Sequence, residues 1–247
     1  PMGRKKKRYR QRTAGASMPA GPPTIGKPST FRSKPWWLSD WWLLDSTGHS
    51  ADVSCDVGTL GDLAVAGASI RGNSHRVDGD RCEDAFFLSA GATTAGQSFL
   101  VAVVGDGVGS AAYSSFGSRR VTQLFGSNLT AQICQMEELT QKAVDDAVEA
   151  AFTATKSKAS SWEVGDLYAP PVPSSEIPSS AIESTLTFAL IPARPDADAT
   201  RSVFLGWIGD SPVFKLHAGK WERLTDTGDS EIVDSATEGF HSAEQVI

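Results

Sequence analysis

Phe99 to Val104 forms an unbroken apolar run of strand length, bounded by glycine. A run this short, stopped by glycine on either side, suits a strand buried on both faces. Leu63 to Ile70 reads as the first core strand and Ala85 to Leu88 as the second. Thr185 to Ile191 and Val203 to Ile208 predict one hairpin after the apolar run. Val213 to Leu216 and Trp221 to Leu224 predict another, turning on Ala218-Gly219-Lys220. Between these groups the period changes. Phe116, Val121, Leu124, Phe125, Leu129 and Ile133 recur near helical spacing from Ser114 to Gln135, with Gly126 and Asn128 as the positions that threaten a break. Leu139, Ala143, Val144, Ala147, Val148, Ala151 and Phe152 mark an amphipathic helix from Leu139 to Lys158. Residues 159–182, with Pro170-Pro171-Val172-Pro173, predict a long loop or insertion. Hairpins on either side of a helix pair argue for an antiparallel α+β layered fold and against parallel βαβ winding.

Charge divides the chain further. Residues 1–34 carry ten Lys or Arg and no Asp or Glu, so the remaining 213 residues carry 13 basic and 29 acidic groups. A basic tail thus precedes an acidic body. The tail, with Arg4-Lys5-Lys6-Lys7-Arg8 followed by Pro, Gly, Ser and Thr, reads as disordered and solvated; nucleic acid or an anionic membrane is the alternative it leaves open. Four of the seven tryptophans lie in Trp36-Trp37-Leu38-Ser39-Asp40-Trp41-Trp42. On a helix they would share one broad face, which reads as a segment packing back on the domain, with a partner or membrane anchor as the alternative. The division expected is a tail over 1–34, a Trp-rich connection over 35–62 and a domain over 63–247. No stretch is long and apolar enough to cross a membrane as a helix. Cys55, Cys82 and Cys134 are scattered and odd in number, which suits a reducing compartment.

The chemistry concentrates at strand ends. Gly105-Asp106-Gly107-Val108-Gly109-Ser110 follows the central apolar run. Its glycines let an ion or ligand approach the backbone, and hard divalent ions favour such carboxylate and carbonyl oxygens. Alone, the segment reads first as a tight turn, with Asp and Gly chosen for turn geometry. Glu83-Asp84 opens the neighbouring strand, however, and Gly209-Asp210-Ser211 closes another. Carboxylates brought together repel unless cations neutralise them, so three acidic strand ends point to a site with two or more metals.

Five ordered blocks then carry a resemblance. Ala68-Ser69-Ile70-Arg71-Gly72-Asn73-Ser74-His75, Glu83-Asp84-Ala85, Val104-Gly105-Asp106-Gly107-Val108-Gly109-Ser110, Glu183-Ser184-Thr185-Leu186 and Gly209-Asp210-Ser211 together resemble the metal-dependent protein phosphatase 2C family, most of all its bacterial branch. The resemblance covers about residues 65–225. It implies a sandwich of two antiparallel β-sheets flanked by helices, and two or more Mn²⁺ or Mg²⁺ ions. It further implies a metal-activated water that attacks phosphoserine or phosphothreonine directly. On this resemblance Asp106 bridges two metals and Gly107 lends its carbonyl. Asp84 holds metal-bound water, Glu83 occupies the adjoining position, and Asp210 serves an additional, weaker metal position.

Two departures accompany the resemblance. Many members carry an Arg four residues before the Glu-Asp pair, where this chain has Gly79. Arg76, Arg81 or His75 could grip the phosphate instead, and His75 could act as general acid or simply as a structural histidine. The family also has two later aspartates. Residues 226–247 contain Asp226, Asp229 and Asp234 but no apolar strand leading to Asp-Gly, so the last part of the fold is expected to be missing. The functional expectation is a cytoplasmic, monomeric Ser/Thr phosphatase acting on a phosphoprotein, with a Ser/Thr kinase as a candidate partner and neither nucleic acid nor membrane as main ligand. A non-catalytic module that binds a phosphoprotein or regulatory partner is the alternative.

Overall fold

The computed structural model describes residues 24–25, 53–78, 80–159, 161–162, 170, 173–196, 199–225 and 241–246. Ten strands and three α-helices occur among them: β1 (Thr24–Ile25), β2 (Val53–Leu60), β3 (Leu63–Ile70), α1 (Asn73–Asp78), β4 (Ala85–Ala92), β5 (Ser98–Gly105), α2 (Ser114–Ile133), α3 (Gln141–Ala159), β6 (Leu186–Pro192), β7 (Ser202–Ile208), β8 (Phe214–His217), β9 (Lys220–Arg223) and β10 (His241–Val246). The larger sheet runs β10-β7-β6-β5-β4; a smaller one runs β1-β2-β3; β8 and β9 form a hairpin. Every pairing is antiparallel, as the consecutive hairpins predict.

Alternation along β5 explains the layers. Phe99, Val101 and Val103 point to one face and join Phe125, Leu129 and Ile133 of α2 and Val144, Val148 and Ala151 of α3 in a single core. Leu186, Phe188 and Leu190 of β6 and Phe204 of β7 complete it. On the opposite face, Phe86 and Leu88 of β4 press against Gly67 of β3, where a side chain on Gly67 would meet the Phe86 ring at 2.7 Å. The two sheets therefore stack, with α2 and α3 covering the far side of the larger one. Each fully buried Phe or Leu stabilises the fold by roughly 1.5–3 kcal/mol. An exposed ion pair such as Lys142–Asp146 contributes about 0–1 kcal/mol, so the core decides the architecture.

Several expectations need amendment. The strand series begins before Leu63: β2 lies inside the Trp-rich connection and pairs along its whole length with β3. β5 is not buried on both faces throughout, because Leu100 is 5% exposed but Val104 is 45% exposed. The small sheet covers only the start of the strand. Gly126 and Asn128 do not break α2. Gly126 lies against the Phe87 ring with no room for a side chain, and Asn128 donates from Nδ2 to Thr155 Oγ1 on α3. In the stretch expected to be a long loop or insertion, Trp162 and Ile182 form a small second core with Phe116 of α2, and two short 3₁₀ turns occur at Ser174–Glu176 and Ser179–Ile182. Arg120 closes that region by donating to the carbonyls of Lys158, Ala159 and Ser161 at the end of α3. A further strand, not an apolar one leading to Asp-Gly, follows the second hairpin. β10 pairs with β7 from His241↔Trp207 to Val246↔Ser202, and its polar sequence hides it from an apolar-run reading. The Trp36–Leu44 cluster, and the basic tail apart from Thr24 and Ile25, lie outside the described residues.

Candidate functional site

Strand register assembles the acidic groups. Ala85 pairs with Gly105, so one step outward Asp84 stands opposite Asp106. Val104 pairs with Thr187, which on the same register sets Asp106 opposite Thr185. Leu186 pairs with Ile208, which sets Thr185 opposite Gly209. Asp84, Asp106, Thr185 and Gly209 thus form one row across the end of four adjacent strands, with Asp210 next along the last. The alternation that turns Phe86 and Val104 toward the small sheet turns Asp84 and Asp106 the same way.

Hydrogen bonds hold the row. The Asp106 N–H donates to Thr185 Oγ1 at 2.9 Å. In return the Thr185 N–H and Ser184 Oγ donate to the Asp106 carbonyl at 2.8 and 3.0 Å. Thr185 Oγ1 also lies 2.8 Å from Ser211 Oγ, and Thr187 Oγ1 donates to the Ser211 carbonyl at 2.9 Å. Gly209 turns with φ +90°, a conformation that favours glycine, and a side chain there would strike the Thr185 methyl at 2.7 Å. Gly107 bridges to Ser184, and its N–H donates to the Glu83 carbonyl at 3.2 Å. A side chain on Gly107 would lie 2.8 Å from the Ser114 carbonyl, so the turn requires glycine.

The start of α2 fixes Glu83. Ser114 Oγ donates to Glu83 Oε1 at 2.7 Å, and Ser118 Oγ donates to the Glu83 carbonyl. Glu83 Oε2 stands 3.7 Å from His75 Nε2, which α1 presents. Ser69 Oγ donates to the Asp84 carbonyl at 2.8 Å, tying β3 to the same end.

The electrostatics follow from this crowding. Partial burial, a hydrogen bond with Asp84 and then the charges of Asp84, Asp210 and Glu83 push the Asp106 carboxyl up from 3.8 to about 6. Each of those neighbours is acidic. No basic side chain pairs with Asp84, Asp106 or Asp210 among the described residues.

The "Protein phosphatase 2C" family model matches residues 71–245, which spans both acidic turns and the strands between them. The chain belongs to the protein phosphatase 2C family. Among solved structures it is similar to the serine/threonine phosphatase Stp1 from Staphylococcus aureus. That similarity has 14% identity and a TM-score of 0.39, and covers 74% of this chain and 56% of that one. It is also similar to the PP2C phosphatase domain and regulatory-domain fragment of the cell fate determinant SpoIIE from Bacillus subtilis. There the identity is 15% and the TM-score 0.36, with 78% of this chain and 42% of that one covered. The chain therefore spans about half the length of either. No curated protein matches it.

With the family in place, each anticipated residue can be located. Glu83, Asp84, Asp106 and Asp210 gather at one sheet end, near enough for the other three to act on Asp106. His75 joins through Glu83. Arg76 lies on α1, and its side chain falls outside the described residues. Sequence reasoning assigned no role to Ser114, Ser118, Ser184 or Thr185; only the matching register carries that signal. Oxygen donors at this density suit Mn²⁺ or Mg²⁺ in kind. In number they fall short: among the described residues no three His, Cys, Asp or Glu side chains converge closely enough to enclose an ion.

Proposed function

We propose that this protein phosphatase 2C member is a metal-dependent phosphoserine and phosphothreonine phosphatase. Asp84, Asp106 and the Gly107 carbonyl would hold Mn²⁺ or Mg²⁺, and Glu83 and Asp210 would support further ion positions. The observation that carries the reading is the gathering of Glu83, Asp84, Asp106 and Asp210 at one sheet end, where burial and then these neighbours push the Asp106 carboxyl up to about 6 and, among the described residues, no basic side chain pairs with it. Charge on such a site is unfavourable, and a bound cation would offset it. The bound metal would supply an acidified water and neutralise phosphate charge.

The chain's own residues supply the rest. His75 is positioned by Glu83 to give a proton to the departing seryl or threonyl oxygen. Arg76, on the same short helix, is the group proposed to take the phosphate through two N–H donors. Ser114 and Ser118 hold Glu83, so the acid side of the site rests on α2 and not on a loop. The substrate is a phosphoprotein, and a Ser/Thr kinase that writes the same mark is the matching partner. The setting proposed is cytoplasmic, with the protein a monomer. No helix among the described residues is long and apolar enough to cross a membrane.

One observation favours a second reading. The described carboxylates do not by themselves enclose an ion, which fits a module that binds a phosphoprotein without cleaving it. Hydrolysis of p-nitrophenyl phosphate by the purified protein separates the two. The phosphatase predicts turnover that needs Mn²⁺, stops with EDTA and returns when Mn²⁺ is restored. Absent turnover combined with retained binding of a phosphothreonine peptide would establish the second reading.

A further inference from the structure

Thr185 spans the two acidic turns and uses both ends of its side chain. Its methyl lies where Gly209 leaves space, and any side chain at Gly209 would collide with it at 2.7 Å. Its hydroxyl accepts the Asp106 N–H at 2.9 Å and lies 2.8 Å from Ser211 Oγ. Thr185 Oγ1 thus links the Asp106 N–H to the Ser211 hydroxyl, and either hydroxyl can donate across that second contact. Thr187, two residues on and buried, donates to the Ser211 carbonyl from the same face of β6. One strand therefore sets the separation of the Asp106 turn from the Asp210 turn.

We propose that Thr185 is a positioning residue that fixes the spacing of the Asp106 and Asp210 turns for cation binding. This rests on the metal-dependent reading above. Thr185 touches no reacting atom in this account; it acts through Asp106 and Ser211. The hydroxyl carries the positioning role, and the methyl fills the space beside Gly209. Serine would keep the relay and lose the methyl, whereas valine would keep the shape and lose the relay.

The test uses the full chain, uniformly labelled, with amide hydrogen exchange and Mn²⁺-induced broadening of amide signals as readouts. In Thr185→Val the Asp106 amide is expected to exchange at least about tenfold faster, with Mn²⁺ binding weakened about 10–100-fold, the range for loss of a group that orients a ligand. Unchanged amide signals from β4, β5 and α2 would show that the fold is intact. Thr185→Ser should stay within about threefold of wild type on both readouts, which a purely structural role for the methyl would not give. Asp106→Asn, the control for the metal reading, should abolish site-specific broadening. Wild-type Mn²⁺ affinity in Thr185→Val, alongside lost affinity in Asp106→Asn, overturns the positioning role and leaves the metal reading standing. Absence of site-specific broadening in the wild-type protein overturns the metal reading, and the positioning role with it.

Discussion

A carboxylate that ionises less readily in the folded chain than in the unfolded one makes stability depend on pH. Asp106 ionises near 6 when folded, against an ordinary 3.8. Between those values the folded chain retains a proton that the unfolded chain has lost. The folded state then binds more protons, so stability falls as pH rises through that window and levels off above it. One side of Asp106 is open to water, which limits the cost of the charge to on the order of 1 kcal/mol. Asp106→Asn removes the charge and keeps the backbone bonds to Thr185. In EDTA at pH 7.5 it is expected to raise Tm by roughly 2–4 °C, and to flatten the fall between pH 4 and 6 in a thermal-unfolding series. A lowered Tm would contradict the proposed crowding. Asp84, Asp106 and Asp210 were legible in the sequence because each follows or precedes a clear strand beside glycine or a second acid. Thr185 and Ser114 were not, because a hydroxyl's partner depends on register and helix placement, which no local pattern encodes.

At the scale of the element, glycine and turn geometry give the sharpest expectations. A Cβ on Gly126 would collide with the Phe87 ring, while alanine would raise helix propensity by only about 1 kcal/mol. Overpacking of 1–3 kcal/mol outweighs that gain. Gly126→Ala should therefore destabilise the protein in urea unfolding, and adding Phe87→Leu should restore part of the loss. A stabilised single variant would show that Phe87 yields freely. The β8–β9 hairpin turns through Ala218 and Gly219, at φ 49° and 75°. Two positive angles belong to the tight turn that favours Asn-Gly or Gly-Gly. Ala218→Gly relieves the strained alanine and should stabilise the hairpin by up to about 1 kcal/mol, seen as slower amide exchange in Lys220 and Leu216. The helices and inner strands could be read from periodicity, since burial on one side leaves a repeating apolar mark. β10 could not, because its sequence, His-Ser-Ala-Glu-Gln-Val, lacks that mark. The same limit applies to Gly126: propensity weighs against it, and only packing explains it.

Across the whole molecule, two stacked sheets with helices on one outer face hold an acidic row at one end of the larger sheet. The antiparallel layering was readable because hairpins flank the helix pair. The way the layers meet was not, since it depends on Gly67 yielding space to Phe86 and Leu88. Phosphate hydrolysis, as proposed, requires that row to serve a cation. The most direct measurement is phosphate release from a phosphothreonine peptide with and without Mn²⁺, for the wild-type protein and Asp106→Asn. The account predicts Mn²⁺-dependent release by wild type and a loss of at least about 100-fold in the variant, with the circular dichroism spectrum unchanged. Equal release by the two proteins, or release by wild type that EDTA leaves untouched, would contradict it.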